Sequence, residues 1–195
     1  MRLFTIIFSF LFLNCFCFSQ TKEQKFKSTI EQIVSAFARQ DSLKLARFIN
    51  KEIGVYQLDR IGVFDHYNYS KSISFSKNRY PEVLLNQSKN IKLLPLKYSR
   101  LPTFSCDKGS WSKTGLFVDT TKTDHLLSNI CKDRNKNVPD SIPEKTIRFF
   151  YDLENKSRRI VLNDNSGTEL VFYLSYINNK WFLTIIDNVS SDCSV

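Results

Sequence analysis

The stretch Glu169 to Ile177 carries large apolar side chains on both of its β-faces. Leu170, Phe172, Leu174 and Tyr176 fall on one face, and Val171, Tyr173, Ser175 and Ile177 on the other. Successive side chains of a strand point to opposite sides of the sheet, so a strand of this composition has to be covered twice. Arg159 to Leu162 and Lys180 to Val189, which flank it, are β-rich as well. The separators are Asn163-Asp164-Asn165-Ser166-Gly167 and Asn178-Asn179. Asparagine tolerates positive φ, which suits Asn178-Asn179 to a tight two-residue hairpin. The chain is therefore expected to close in a three-stranded meander.

At the other end, Phe26, Ile30, Ile33, Val34 and Phe37 recur at i, i+4, i+7, i+8 and i+11 within Thr21 to Gln40. That spacing draws one apolar stripe along a helix. Asp41 or Ser42 is placed to cap a second short helix carrying Leu43, Ala46 and Ile49. The fold class that follows is α+β: an N-terminal amphipathic helix packed on a curved antiparallel sheet. Five glycines and no repeat point to one domain over residues 20–195.

Between the ends, Val55-Tyr56-Gln57-Leu58 and Ser72-Ile73-Ser74-Phe75-Ser76 alternate as strands do, and Pro81 to Asn90 suits a helix. Ile91 to Tyr98 reads as a strand disturbed by Pro95. Cys106 to Lys113 is a loop leading into the strand Gly115-Leu116-Phe117-Val118. Thr123 to Arg134 resumes helical spacing, with His125 in the first turn. Pro143 opens a last helix in which Ile147, Phe150 and Tyr151 share a face.

Arg2 followed by the apolar run Leu3 to Phe18 has the form of a secretion signal, with cleavage before Gln20. The run falls short of the about 20 residues a membrane-spanning helix needs. The expectation is an exported protein, periplasmic or secreted, that meets the membrane only through this segment. Cys106, Cys131 and Cys193 remain beyond it. Three pairings are open. Cys106–Cys193 is favoured because it ties down an end that would otherwise fray, with Cys131 left free in a helix.

Without Arg2 the balance is 27 basic against 19 acidic side chains. Basic domains often meet nucleic acid, but export argues against that partner and for a protein or an anionic envelope component. The tightest basic cluster, Lys156, Arg158 and Arg159, reads as a solvated turn. N-x-S sequons occur at Asn68, Asn86, Asn155 and Asn188.

His66 beside Asp65 is the catalytic candidate, since imidazole titrates near neutrality and a neighbouring carboxylate can hold its tautomer. Against it, adjacent residues on an extended chain face opposite ways, and an exposed turn histidine is the plainer reading. The chain has two histidines, and neither H-E-x-x-H nor paired C-x-x-C occurs, so no metal site and no cofactor are expected. No G-x-S-x-G elbow marks a serine nucleophile. Cys131 reads as a buried spare thiol. Trp181 belongs to a strand and to the core. Trp111, in a polar loop with Lys113, is the binding candidate, because an exposed indole beside a lysine can stack on a glycan or grip a partner.

Phe26, Ile30, Val34 and Phe37, then Asp41, Leu43 and Leu45, and finally Asn179-Lys180-Trp181-Phe182-Leu183-Thr184-Ile185 resemble the two ends of the NTF2-like, or cystatin-like α+β cone, superfamily. The resemblance implies a long helix in the concavity of a bent sheet, and a pocket rather than a particular reaction. Three functions are thus in view. The first is a binding or interaction module of the envelope or extracellular space. The second is a small-molecule enzyme, of isomerase or hydrolase type, with an NTF2-like pocket. The third is a secreted inhibitor or immunity-type protein that presents a loop such as Cys106 to Lys113.

Overall fold

A computed structural model of the protein describes residues 20–75, 88–164 and 167–194. The segment read as a secretion signal, most of the helix read at Pro81 to Asn90, and Asn165-Ser166 lie outside them. The fold is α+β. Helices α1 (Lys22–Ala38) and α2 (Ser42–Ala46) precede strands β1 (Val55–Ile61), β2 (Phe64–Ser70), β3 (Leu96–Tyr98), β4 (Phe104–Ser105), β5 (Ser110–Trp111) and β6 (Gly115–Val118). Then come α3 (Leu126–Asn137), α4 (Glu144–Glu154), β7 (Ser157–Asn163), β8 (Glu169–Ile177) and β9 (Lys180–Asp187).

Seven strands form one sheet in the order β2-β1-β9-β8-β7-β6-β3, and β4-β5 is a separate small pair. The sheet is mostly antiparallel but mixed: β1 runs parallel to β9 and β3 parallel to β6. This corrects the purely antiparallel expectation. Side-chain alternation identifies a strand but carries nothing about the direction of its neighbour.

Helix α1 begins on a capping box in which the Thr21 hydroxyl accepts from Gln24 N–H at 3.2 Å and the Gln24 side chain accepts from Thr21 N–H at 2.8 Å. Its five stripe residues are all buried. They pack with Leu116, Ile160, Leu162, Phe172, Leu174 and Leu183 in an apolar cluster, where Phe26 meets Trp181 at 4.7 Å between ring centroids. On the opposite side Tyr56, Leu58, Tyr173 and Ile185 pack with Leu127, Ile130, Ile147 and Phe150 of α3 and α4. β8 is covered on both faces, as its composition demands. Asn178 and Asn179 have φ of 46° and 62°, joining Ile177 to its partner Lys180 in the tight turn their type favours.

Several local readings are corrected. In α2 the inward residue is Leu45, which packs into the same apolar cluster as α1, not Leu43, which is 84 % exposed. Ile73 to Phe75 belongs to none of the strands: Ile73 is buried and Phe75 meets Phe37 edge-on at 5.8 Å, so the alternation serves core contacts. Of Ile91 to Tyr98 only Leu96–Tyr98 is strand, since the chain joins the ladder after Pro95, which has no N–H to offer it. His125 is the N-cap of α3 rather than a first-turn residue. Tyr151 is exposed and stacks on His125 at 4.2 Å, outside the face shared by Ile147 and Phe150.

Candidate functional site

β1 and β2 are joined by Gly62-Val63, with Ile61 facing Phe64 across the turn. Gly62 takes φ +64°, a conformation that glycine adopts without penalty. The hairpin stands at one edge of the sheet, and α3 packs beside β2. Between them lies a groove of about 370 Å³ lined by Val63, Phe64, Ile130, Arg134 and Val138 among others. Val63 is 71 % exposed, Phe64 57 % and Val138 56 %. These large apolar side chains reach solvent around one concave surface. The rim is polar: the Arg60 guanidinium donates to Asp65 at 2.7 Å, and Asp133 and Arg134 project from α3.

Asp65 and His66 both border this groove but do not work together. Asp65 is held by Arg60, whereas His66 lies in register opposite Asp59. His66 is therefore a strand residue, not a turn residue, because Gly62-Val63 already makes the turn. Asp59 is the acid that the sequence reading missed. It is fully buried, and its oxygens accept from Asn188 Nδ2 at 2.8 Å and Asn68 Nδ2 at 3.2 Å. Burial pushes its carboxyl up, against those hydrogen bonds and the nearby His66. Both side-chain oxygens are occupied, so the group stitches β1, β2 and the chain after β9. The same bonds engage the amides of two sequon residues.

Two further buried polar clusters line the α3 side. Arg159 is no solvated turn residue: it is the third residue of β7 and points inward, and its guanidinium donates to Asp124 at 2.9 Å and Asp187 at 2.7 Å. Arg158, the residue before it in the strand, points the other way and donates twice to Glu23 at 2.8 Å. Tyr173 adds a hydroxyl donation to Asp124 at 3.1 Å, and Asp187 also accepts from the backbone of Val189 and Ser190. Glu154, the last residue of α4, accepts from Leu127 N–H at 2.7 Å and from the Ser128 hydroxyl at 2.6 Å. It thereby caps α3, whose own N-cap His125 offers no side-chain bond. Burial pushes the Glu154 carboxyl up to about 7, in spite of these hydrogen bonds.

Cys106 and Cys193 are joined, with Cα atoms 5.6 Å apart, and Cys131 is free and buried. Burial pushes the Cys131 thiol up to about 12, far from a nucleophile's range. Trp111 is half-buried. Its ring meets Phe104 at 5.4 Å and its indole N–H donates to Glu169, which also accepts from Ser191. Lys113 donates to the Arg100 carbonyl at 3.2 Å. The loop is thus clamped to the start of β8 and to the C-terminal tail.

The described residues contain no group of His, Cys, Asp or Glu able to hold a metal ion, and no helix among them is long and apolar enough to cross a membrane. What the groove offers chemically is apolar contact inside a charged rim. No protein-family model matches the chain, and no match arises among curated proteins or solved structures.

Proposed function

We propose that the protein is an exported binding module that engages a partner protein of the envelope or extracellular space through the groove between the β1–β2 hairpin and α3. The observation that carries this reading is the grouping of Val63, Phe64 and Val138 in solvent around one concavity. Exposed apolar residues scattered singly need no explanation, but grouped at a groove they mark an interaction site. An apolar centre inside a rim of Arg60, Asp65, Asp133 and Arg134 has the make-up of a protein interface.

Export is supported by the run Leu3 to Phe18 and by the Cys106–Cys193 bridge, since disulfides persist in oxidising compartments. Likeness to the NTF2-like superfamily belongs to the same reading. It is supported by α1 lying against the sheet and by three consecutive antiparallel strands at the C-terminal end. In the described residues the space between α1 and the sheet is filled by apolar side chains, which favours docking on the outside over a ligand within a cone.

Phe64→Asp with Val138→Asp places two charges in the groove without touching the core. The partner retained by the wild-type protein in its native extract should be lost by this variant and kept by Leu43→Asp, whose site is exposed elsewhere. Equal retention by all three proteins would count against the groove.

A further inference from the structure

A second cleft, of about 340 Å³, shares no lining residue with the groove. Its walls bring together cations from four places in the chain: Lys22 at the start of α1, Lys122 after β6, Lys156 between α4 and β7, and Arg158 in β7. Arg158 is neutralised by its two bonds to Glu23. Partial burial pushes the Glu23 carboxyl up, but Arg158 and Tyr98 outweigh it and hold the group ionised.

The three lysines make no such close pair, although Lys22 lies near enough to Glu23 and Lys122 near enough to Asp119 to help hold those carboxylates ionised. Among the described residues Lys136 is the lysine that forms an ion pair, and these do not. Asp119 is the carboxylate of the cleft wall, and it is engaged by the Thr121 N–H at 2.8 Å and the Thr121 hydroxyl at 2.6 Å. The Lys22 ammonium sits 4.0 Å over the Tyr176 ring, which fixes it at the mouth of the cleft. Asn155 and Thr123 add neutral groups able to donate; the Ser157 hydroxyl is spent on the Leu153 carbonyl. Lys22, Lys122, Lys156 and Arg158 together outnumber Glu23 and Asp119 by two charges; like charges in excess repel one another, and an anion relieves that repulsion.

We infer that this cleft binds a terminal phosphate group, with Lys22, Lys122 and Lys156 as its charged partners and the Tyr176 side of the cleft receiving whatever carries the phosphate. A phosphate monoester brings about −1.5 to −2 charges, which matches three lysines set against one carboxylate. A carboxylate ligand would leave half of that excess positive charge uncompensated. Such a group has two sources, a soluble phosphorylated molecule or a phospholipid headgroup, and the cleft chemistry is the same for both.

The probe is inorganic pyrophosphate, titrated into the protein at about 0.15 M salt, where screening suppresses diffuse attraction. The readout is the NMR shift of the Asn155 side-chain amide and the Trp181 indole N–H, beside vesicle flotation with phosphatidic acid in phosphatidylcholine. Lys22→Gln/Lys122→Gln/Lys156→Gln removes the cluster from exposed positions, and Lys51→Gln/Lys71→Gln/Lys89→Gln removes the same charge elsewhere. Saturable shifts, weakened by about tenfold or more in the first variant and unchanged in the second, are expected. Flotation that depends on the cleft lysines without a pyrophosphate response assigns the phosphate to a lipid headgroup. Neither response, or equal loss in both variants, overturns the inference.

Discussion

The Arg159 guanidinium donates at 2.7 Å to Asp187, a carboxylate whose side chain is wholly shielded from solvent. Asp124 receives the other arm of the same group. Removing one member of a buried ion pair strands the rest, at a cost of about 3–5 kcal/mol. Arg159→Met should therefore lower the urea midpoint by that amount of stability with little change in the slope. A loss below about 1 kcal/mol would mean that Asp187 is held by Ser190 and the backbone alone.

Glu154 makes stability depend on pH. Its folded-state value is about 7, against 4.5 ordinarily. Between those values the unfolded chain has released a proton that the folded chain keeps. The stabilisation is complete below about pH 4.5 and is lost as the pH rises through 7, on the order of 3 kcal/mol in all. Buried Asp59 shifts in the same direction. Urea unfolding from pH 5 to pH 8 should show this decline, and Glu154→Gln should flatten it.

The disulfide closes a sequence separation of 87 residues and fastens the tail that carries Ser191 and Asp192. Cys193→Ser is expected to cost about 2–5 kcal/mol, since the unfolded chain regains the freedom the bridge removes. Thiol titration of the wild-type protein gives the companion check. Cys131 should be unreactive in the native state and react fully in denaturant.

Gly54 has φ +73°, and a Cβ there would lie 2.7 Å from the Ser70 carbonyl oxygen and 2.4 Å from the Tyr69 ring. The ring can swing away, but the backbone oxygen of β2 cannot. Gly54→Ala should destabilise the protein by about 1–3 kcal/mol through the strained φ alone, and by more if the β1–β2 pair parts. Thermal unfolding reads the loss.

Legibility in the sequence followed the range of each interaction. The stripe Phe26 to Phe37, the two-faced strand at Glu169 to Ile177 and the Asn178-Asn179 turn are local patterns, and each stands where its periodicity or turn chemistry put it. Residues brought together by the fold were hidden. Asp59 and His66 meet through strand register, Glu154 and Leu127 through helix packing, and Lys22 and Lys156 through the closing of α1 over the sheet. One signal was present and missed: Gly62 between two alternating runs marks a hairpin, and that hairpin builds the groove. Arg158 and Arg159 are adjacent and looked like one solvated cluster, but on a strand they part to opposite faces.

Photo-cross-linking in the native host tests the groove most directly. A photoreactive residue replaces Val63 in one protein and Leu43 in another, both highly exposed in the free chain. The account predicts one discrete adduct from position 63, absent from position 43 and abolished by Val138→Asp. No adduct at position 63, or the same adducts from both positions, would contradict it.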